Sequence, residues 1–289
     1  GFAMTLVVKP GSKVIYAKEG FVTVALSWLF LSLVGCLPFV ISGEIPSFID
    51  AFFETVSGFT TTGASILTDV ENMSKGILFW RSFTHWIGGM GVLVFLLAIL
   101  PLAGGSQMHL MRAESPGPSV SKLVPKTRST ALILYTIYIV MSALQFVILL
   151  ICDMPAFDAI TTTFGTAGTG GFSIKNSSIA EYSPAVQWVV GIFMLLFGIN
   201  FNIYYLILIG QVKEAFKSEE LRWYIGIVGA STLAITVNLI NPFKGQSFRY
   251  AFFQVSSIMT TTGFATTDFN ITFPEFSKSI LVLLMLLGA

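Results

Sequence analysis

The sequence predicts an all-α integral membrane protein made of repeated helix, half-helix, loop and helix modules. Three observations predict it. Of 289 residues, 54% are apolar and 11% charged, with mean hydropathy +0.80. Soluble domains carry about 25% charged residues, so lipid is the solvent for much of this surface. Apolar runs long enough to cross a bilayer alternate with apolar runs too short to do so. Each short run ends in a related Thr/Gly stretch: Phe59-Thr60-Thr61-Thr62-Gly63-Ala64, Ala167-Gly168-Thr169-Gly170-Gly171-Phe172 and Met259-Thr260-Thr261-Thr262-Gly263-Phe264. The register is gap-free. Ala51, Ala159 and Ala251 each stand twelve residues before Gly63, Gly171 and Gly263, and Thr61, Thr169 and Thr261 share a column.

Residues 1–20 form an N-terminal segment with Lys9, Lys13 and Lys18. The first module, 21–102, opens with a span from Phe21 to about Ser42. A half-helix from Pro46 to Phe59 follows, with Pro46 near its first turn, where a missing N–H costs little. The Thr60–Ser65 loop, polar residues Asp69 to Lys75 and a span from Gly76 to about Leu102 complete it. Residues 103–128 are a hydrophilic loop. The second module, 129–210, has a span to about Leu150, a half-helix from Pro155 to about Phe164, the Gly168–Ser173 loop and a span from Pro184 to about Gly210. A charged loop covers 211–222. The third module, 223–289, has a span from Trp223 to Ile240, a half-helix from Ser247 to Met259, the Thr260–Thr266 loop and a last helix from about Phe276, which is truncated. The loop glycines are 108 and 92 residues apart, a spacing suited to a two-span unit.

Charge sets the orientation. Ten of the sixteen basic residues lie on the segments between modules and five on the Thr/Gly side, with Arg81 near a span entrance. The positive-inside rule puts the inter-module segments in the cytoplasm and opens the Thr/Gly loops outward. Ten of the fifteen acidic residues fall on that outer side, where they raise the local cation concentration.

A Thr-x-Gly stretch behind a half-helix suits a cation. Non-helical backbone at membrane depth must line water or be packed in protein. Glycine permits the positive φ that turns carbonyls toward one axis. Threonine is stiff, and its hydroxyl can anchor the loop or add an oxygen ligand. The half-helix aims its C-terminal carbonyls at the centre, and carbonyl rings replace a hydration shell in potassium filters. The candidate ion-binding residues are therefore Thr60, Thr61, Thr62, Gly63, Gly168, Thr169, Gly170, Gly171, Thr260, Thr261, Thr262 and Gly263. The competing reading is a plain helix C-cap followed by a loop. Three copies in register weigh against it.

The chain resembles the Trk/Ktr/HKT superfamily of potassium transporters, and within it the bacterial Trk pore-forming subunits. The resemblance covers essentially the whole chain. Besides the three loops, it rests on Phe79-Trp80-Arg81-Ser82-Phe83-Thr84-His85-Trp86-Ile87-Gly88-Gly89-Met90-Gly91, on Arg112-Ala113-Glu114-Ser115-Pro116-Gly117-Pro118 and on Gly198-Ile199-Asn200-Phe201-Asn202. It implies four modules set pseudo-fourfold around a central pore, with three present here and the fourth missing. Gly63, Gly171 and Gly263 would be the first three filter glycines. A serine at the first accompanies sodium transport in plant relatives, so Gly63 favours potassium. It further implies potassium uptake at the bacterial inner membrane, a homodimer, and a cytosolic RCK-type nucleotide-binding regulatory subunit docked on 103–128 and 211–222.

Arg81 and His85 stand at i,i+4 on one helix face, as a pore-side pair or as support behind the filter. The support role avoids a cation in a cation path. Gly88, Gly89 and Gly91 suit close helix packing. Asn200 and Asn202 can line a cavity or bond a neighbouring helix, and Asp50, Glu54 and Asp158 can tie down loops. Cys36 and Cys152 make no disulfide framework. The near-neutral balance gives no reason to expect nucleic acid, and no G-x-x-x-x-G-K-[ST] motif is present. No catalytic constellation surrounds His85 or His109, so neither an enzyme nor an organic cofactor is expected. The rival readings are a sodium or weakly selective transporter of the same fold, and a secondary transporter of an organic solute with two inverted halves.

Overall fold

The structure is a computed structural model that describes residues 17–91, 127–243 and 245–288, and among these every regular element is helical. Helix α1 (Ala17–Gly35) starts within the segment expected to precede the first span. It breaks at Cys36 and resumes as α2 (Leu37–Ser42), whose first turn holds Pro38. The half-helix α3 (Phe48–Phe59) is N-capped by Ser47, whose hydroxyl accepts from the Asp50 N–H. α4 (Lys75–Gly89) follows. The rest of the expected span to Leu102 and the 103–126 loop, with its Arg112–Pro118 motif, lie outside the described residues.

The second set comprises α5 (Thr127–Ile151), the half-helix α6 (Ala156–Ala167), α7 (Pro184–Phe197) and α8 (Phe201–Leu208). α6 runs three residues further than expected, to the edge of the Thr/Gly stretch. The span expected from Pro184 to Gly210 is not one straight helix: α7 and α8 are together apolar enough to cross a bilayer but meet at 87°. Two cap signals explain the break. Gly198 C-caps α7, and two residues later Asn200 N-caps α8 by accepting from the Asn202 N–H. A side chain at Gly198 would press on Thr260 and the Tyr224 hydroxyl, so the elbow must be small.

The third set has α9 (Val212–Lys217), α10 (Glu219–Asn238), α11 (Ile240–Phe243), the half-helix α12 (Ser247–Met259), α13 (Phe269–Thr272) and α14 (Glu275–Leu287). α10 begins four residues before the expected Trp223, because Ser218 caps it by accepting from the Leu221 N–H.

The packing repeats with the sequence. α1 lies on α3, α5 on α6, and α10 on α12. On the three half-helices Ala51, Ala159 and Ala251 are wholly buried, and small residues there suit close helix approach. α4 packs on both α3 and α6, and α7 on both α6 and α12, so the helix after each of these loops bridges two consecutive half-helices. The opposite faces are greasy: Leu26, Phe30, Ile41, Val140, Leu233 and Val237 are exposed. Such a surface faces hydrocarbon rather than water. Val22–Ser42 and Leu132–Ile151 are each long and apolar enough to cross a bilayer.

Candidate ion-binding site

The three Thr/Gly stretches share one backbone. Thr61, Thr169 and Thr261 have φ of 55°, 52° and 57°, and Gly63, Gly171 and Gly263 have φ of 73°, 76° and 86°. The residues between them, Thr62, Gly170 and Thr262, are not left-handed. Each stretch closes its half-helix with the same pair of hydrogen bonds. The N–H of Thr61, Thr169 and Thr261 donates to Gly58, Thr166 and Ile258, and the N–H of Thr62, Gly170 and Thr262 to Ser57, Gly165 and Ser257. This is the Schellman arrangement. The C-cap reading was thus right in hydrogen bonding but incomplete. The left-handed cap position normally belongs to glycine, and here it holds a β-branched residue three times.

Left-handed backbone costs a non-glycine residue ~1–2 kcal/mol. Strain of this kind persists where a function requires it. Thr169→Gly is therefore expected to leave the unfolding midpoint of the solubilised protein unchanged or raised, since relief of that strain meets the ~0.5–1 kcal/mol backbone cost of glycine. A lower midpoint would show that the Thr169 side chain stabilises more than its backbone conformation costs.

The hydroxyls face the helix ends. Thr60 donates to the Val56 carbonyl and Thr260 to that of Ser256, both at 2.7 Å. Each pairs at 2.8 Å with the hydroxyl two residues on, Thr62 or Thr262. These four hydroxyls are anchors, and the Thr261 hydroxyl donates to the Thr260 carbonyl at 2.7 Å.

The turns also touch one another. A side chain at Gly63 would overlap the Gly170 carbonyl, and one at Gly171 the Thr262 carbonyl. The glycine of one turn thus lies on the middle carbonyl of the next. Phe172 and Phe264 repeat the relation from behind. Phe172 reaches toward Gly58 of α3, and Phe264 toward Gly165 of α6. Both rings are buried, a packing role that the sequence alone does not assign to them. In the sequence each is an aromatic directly after the turn glycine, in copies two and three only.

Arg81 and His85 lie behind the turns. Arg81 Nε meets Glu54 Oε1 at 2.7 Å, with 4% and 0% of the two side chains exposed. Glu54 also accepts from Ser65 Oγ and the Ile66 N–H, at 2.9 and 3.1 Å. Arg81 Nη1 donates to the Ser173 carbonyl at 3.0 Å, and its guanidinium lies 3.5 Å from the Phe172 ring centre. These contacts therefore join α3, α4 and the residues leaving the first and second turns. His85 stacks on Phe172 at 4.0 Å and is fully buried. Gly88 abuts the Phe59 carbonyl, and a side chain at Gly89 would come 2.6 Å from the Gly168 α-carbon. Gly91 differs: its φ of 78° ends the helix after Met90.

Against the second and third turns, at Thr169 and Thr260, is a cavity of about 280 Å³ lined also by the ends of α6 and α12, the α7–α8 elbow and Glu220. Asn200 both lines it and donates to the Glu220 carboxylate at 3.3 Å. Glu220 falls in the charged 211–222 segment, where sequence alone gives it no role. On the other side, Asn176 joins the first two loops. Its amide donates to Asp69 and its carbonyl accepts from Val70 N–H. The Asn176 bond holds the Asp69 carboxyl below its ordinary range. Asp158 likewise fixes Tyr182, at 2.8 Å.

Apolar spans around half-helices that end in one shared strained turn define a multi-pass membrane protein of the half-helix class. Residues 3–289 match the TrkH family of cation transport proteins, and the chain belongs to that family. It is 38% identical over 281 residues to the Trk system potassium uptake protein TrkH of Salmonella typhimurium, covering 94% of this chain and 58% of that one. It is 34% identical over 265 residues to the Trk system potassium uptake protein TrkG of Escherichia coli, covering 87% and 53%. The crystal structure of the potassium transporter TrkH from Vibrio parahaemolyticus superposes with a TM-score of 0.81 at 31% identity, over 98% of this chain and 60% of that one. The chain thus spans less than two thirds of the relatives' length.

Proposed function

We propose that the protein containing this chain takes up potassium through a carbonyl-lined filter built from the three turns and a fourth supplied elsewhere. The single observation that carries this is the head-to-tail contact of turns: the glycine of one against the middle carbonyl of the next, made twice in the same sense. A relation that repeats head to tail closes into a ring when its rotation permits. Two such steps link three members. The relatives are longer than this chain, which leaves room for another. Alternating left-handed and ordinary φ turns successive peptide oxygens to one side, where a dehydrated cation can replace its water.

In this reading the Thr60–Gly63, Gly168–Gly171 and Thr260–Gly263 backbones bind the ion. Arg81 and His85 support them from behind, consistent with a buried Arg81 charge neutralised by Glu54. The module boundaries expected from the sequence, the outward-facing filter, the inner-membrane location, the homodimer and a cytosolic nucleotide-binding regulator belong to the same proposal. The relatives named as Trk system potassium uptake proteins support it. Three turns in one rotational sense count against two inverted halves and an organic solute.

The test is rescue of a potassium-uptake-deficient cell by the full-length protein, with and without Gly63→Ser. The wild type is expected to restore growth at low potassium. Gly63→Ser must displace the Gly170 carbonyl, and it is expected to lose potassium preference over sodium. No rescue by a well-expressed wild type would sink the reading, and equal sodium and potassium flux would favour the weakly selective rival.

Glu220 gives a further expectation. A carboxylate at the cavity wall raises cation concentration at the exit, so Glu220→Gln should lower influx about twofold at low ionic strength, fading at high salt. Rubidium flux measured at two ionic strengths checks this. Equal flux in both would remove Glu220 from the path.

A further inference from the structure

The second turn departs from its siblings at two positions. Where the first has Thr60 and Thr62, and the third Thr260 and Thr262, it has Gly168 and Gly170. Neither glycine needs its freedom, because neither has positive φ and the sibling columns hold threonine on equivalent backbone. The reason is space. A Cβ at Gly170 would fall on the His85 ring, overlapping Nδ1, Cε1 and Cγ. A Cβ at Gly168 would fall on the His85 backbone carbonyl.

We propose that His85 is the positioning residue of the second turn, its imidazole standing where the riveting pair of threonine hydroxyls stands in the other two. The inference rests on reading the turns as a cation filter. In the first and third turns, a hydroxyl pair at 2.8 Å ties the residues on either side of the left-handed threonine to the half-helix. The second turn has no hydroxyl at either position. Instead the imidazole is pressed against Gly170 on one side and stacked on Phe172 at 4.0 Å on another. One ring therefore holds Gly170, the middle residue of the turn, and Phe172, the residue leaving it. The Gly170 carbonyl is the one that touches Gly63, so the ring fixes the contact between the first two turns as well.

The ring acts by shape. Both nitrogens are buried without a protein hydrogen-bond partner among the described residues. Filling the space, rather than making a particular hydrogen bond, is what the second turn requires of residue 85. This separates His85 from Arg81, whose contacts are ionic and directional.

The two glycines then make opposite predictions. The obstacle at Gly170 is a side chain and can be removed, whereas the obstacle at Gly168 is backbone and cannot. In the full-length protein, Gly170→Thr alone is expected to lower rubidium uptake at least tenfold. Adding His85→Ala should recover it to within about threefold of wild type. Gly168→Thr should fail with or without His85→Ala. His85→Ala alone should reach the membrane at normal abundance yet lower potassium-over-sodium discrimination several-fold, because the second turn loses its brace. The unfolding midpoint of each solubilised variant reads the same pairwise relief without relying on transport.

Tolerance of Gly170→Thr beside an intact His85, equal relief of both glycine variants by His85→Ala, no relief of either by flux or midpoint, or unchanged discrimination in His85→Ala would each overturn the assignment. A well-expressed wild type with no potassium flux would instead sink the filter reading. The midpoints would still decide whether His85 and Gly170 share one space.

Discussion

Gly171→Ala in the full-length protein is expected to abolish potassium uptake, while Gly43→Ala leaves it near wild type. The two glycines have nearly the same backbone, with φ of 76° and 77°. A methyl group at either costs ~1–2 kcal/mol of left-handed strain. Only Gly171 adds a second effect, because the new methyl overlaps the Thr262 carbonyl, whereas at Gly43 nothing lies within 4 Å. One of the two must move. Overpacking adds ~1–3 kcal/mol, but the functional cost is larger, because the displaced atom is itself a proposed ligand. Misplacing a reacting group by 1 Å can cost about 100-fold in an enzyme, and a carbonyl cage is comparably sensitive. Rubidium flux normalised to membrane abundance measures it. Flux in Gly171→Ala within a few-fold of Gly43→Ala would show that the Thr262 carbonyl is not in the ion's path. Gly263 extends the comparison. Its Cβ direction is open in this chain. If a fourth turn completes the ring, Gly263→Ala should match Gly171→Ala, and if none does it should match Gly43→Ala.

The columns that matter here could be read without coordinates. Counting twelve residues from a buried alanine aligned Thr61 with Thr169 and Thr261 although the middle stretch looks irregular, and those are the three left-handed threonines. The repeat was legible because half-helix length fixes where the turn must fall. The elbow at Gly198 was not, because hydropathy runs through Gly198-Ile199-Asn200 without a dip wide enough to end a span. Asn200 stands out in the sequence as a cavity-lining residue or a partner for a neighbouring helix, and it does both, but nothing there marks it as a helix cap. Phe172 and Phe264 were hidden by composition: among 27 phenylalanines, two behind a glycine carry no contrast. The reason for glycine at 168 and 170 lies in a different module, on α4, where His85 stands eighty-five residues before Gly170 in sequence and in contact with it in space. Periodicity reveals what each unit shares. What one unit does to the next appears only when they are packed.

Glu54→Gln is expected to destabilise the protein by roughly 3–5 kcal/mol, the cost of leaving a buried charge without its partner. Arg81 is 4% exposed, and Glu54 is the acid it meets, at 2.7 Å. Glutamine keeps the length and one acceptor oxygen but no charge. Gln254 occupies the corresponding column of α12, so the half-helix itself accepts glutamine there. The loss is therefore electrostatic rather than helical. A double variant, Glu54→Leu with Arg81→Met, separates two roles of the pair. Replacing both charges with apolar groups of similar size is often neutral or stabilising, so most of the unfolding midpoint should return. Transport should not return with it. Ser65 Oγ, the Ile66 N–H and the Ser173 carbonyl would each lose a partner, but Ser65 and Ile66 are exposed and Ser173 half-buried, so water can replace it at little cost in stability. Those groups follow the first and second turns directly, so their release loosens the turns without unfolding the helices. The expected signature is a midpoint close to wild type with potassium-over-sodium discrimination still lost. Recovery of both would reduce the ion pair to core packing, and recovery of neither would mean that the pair holds α3 to α4 more than it holds the turns.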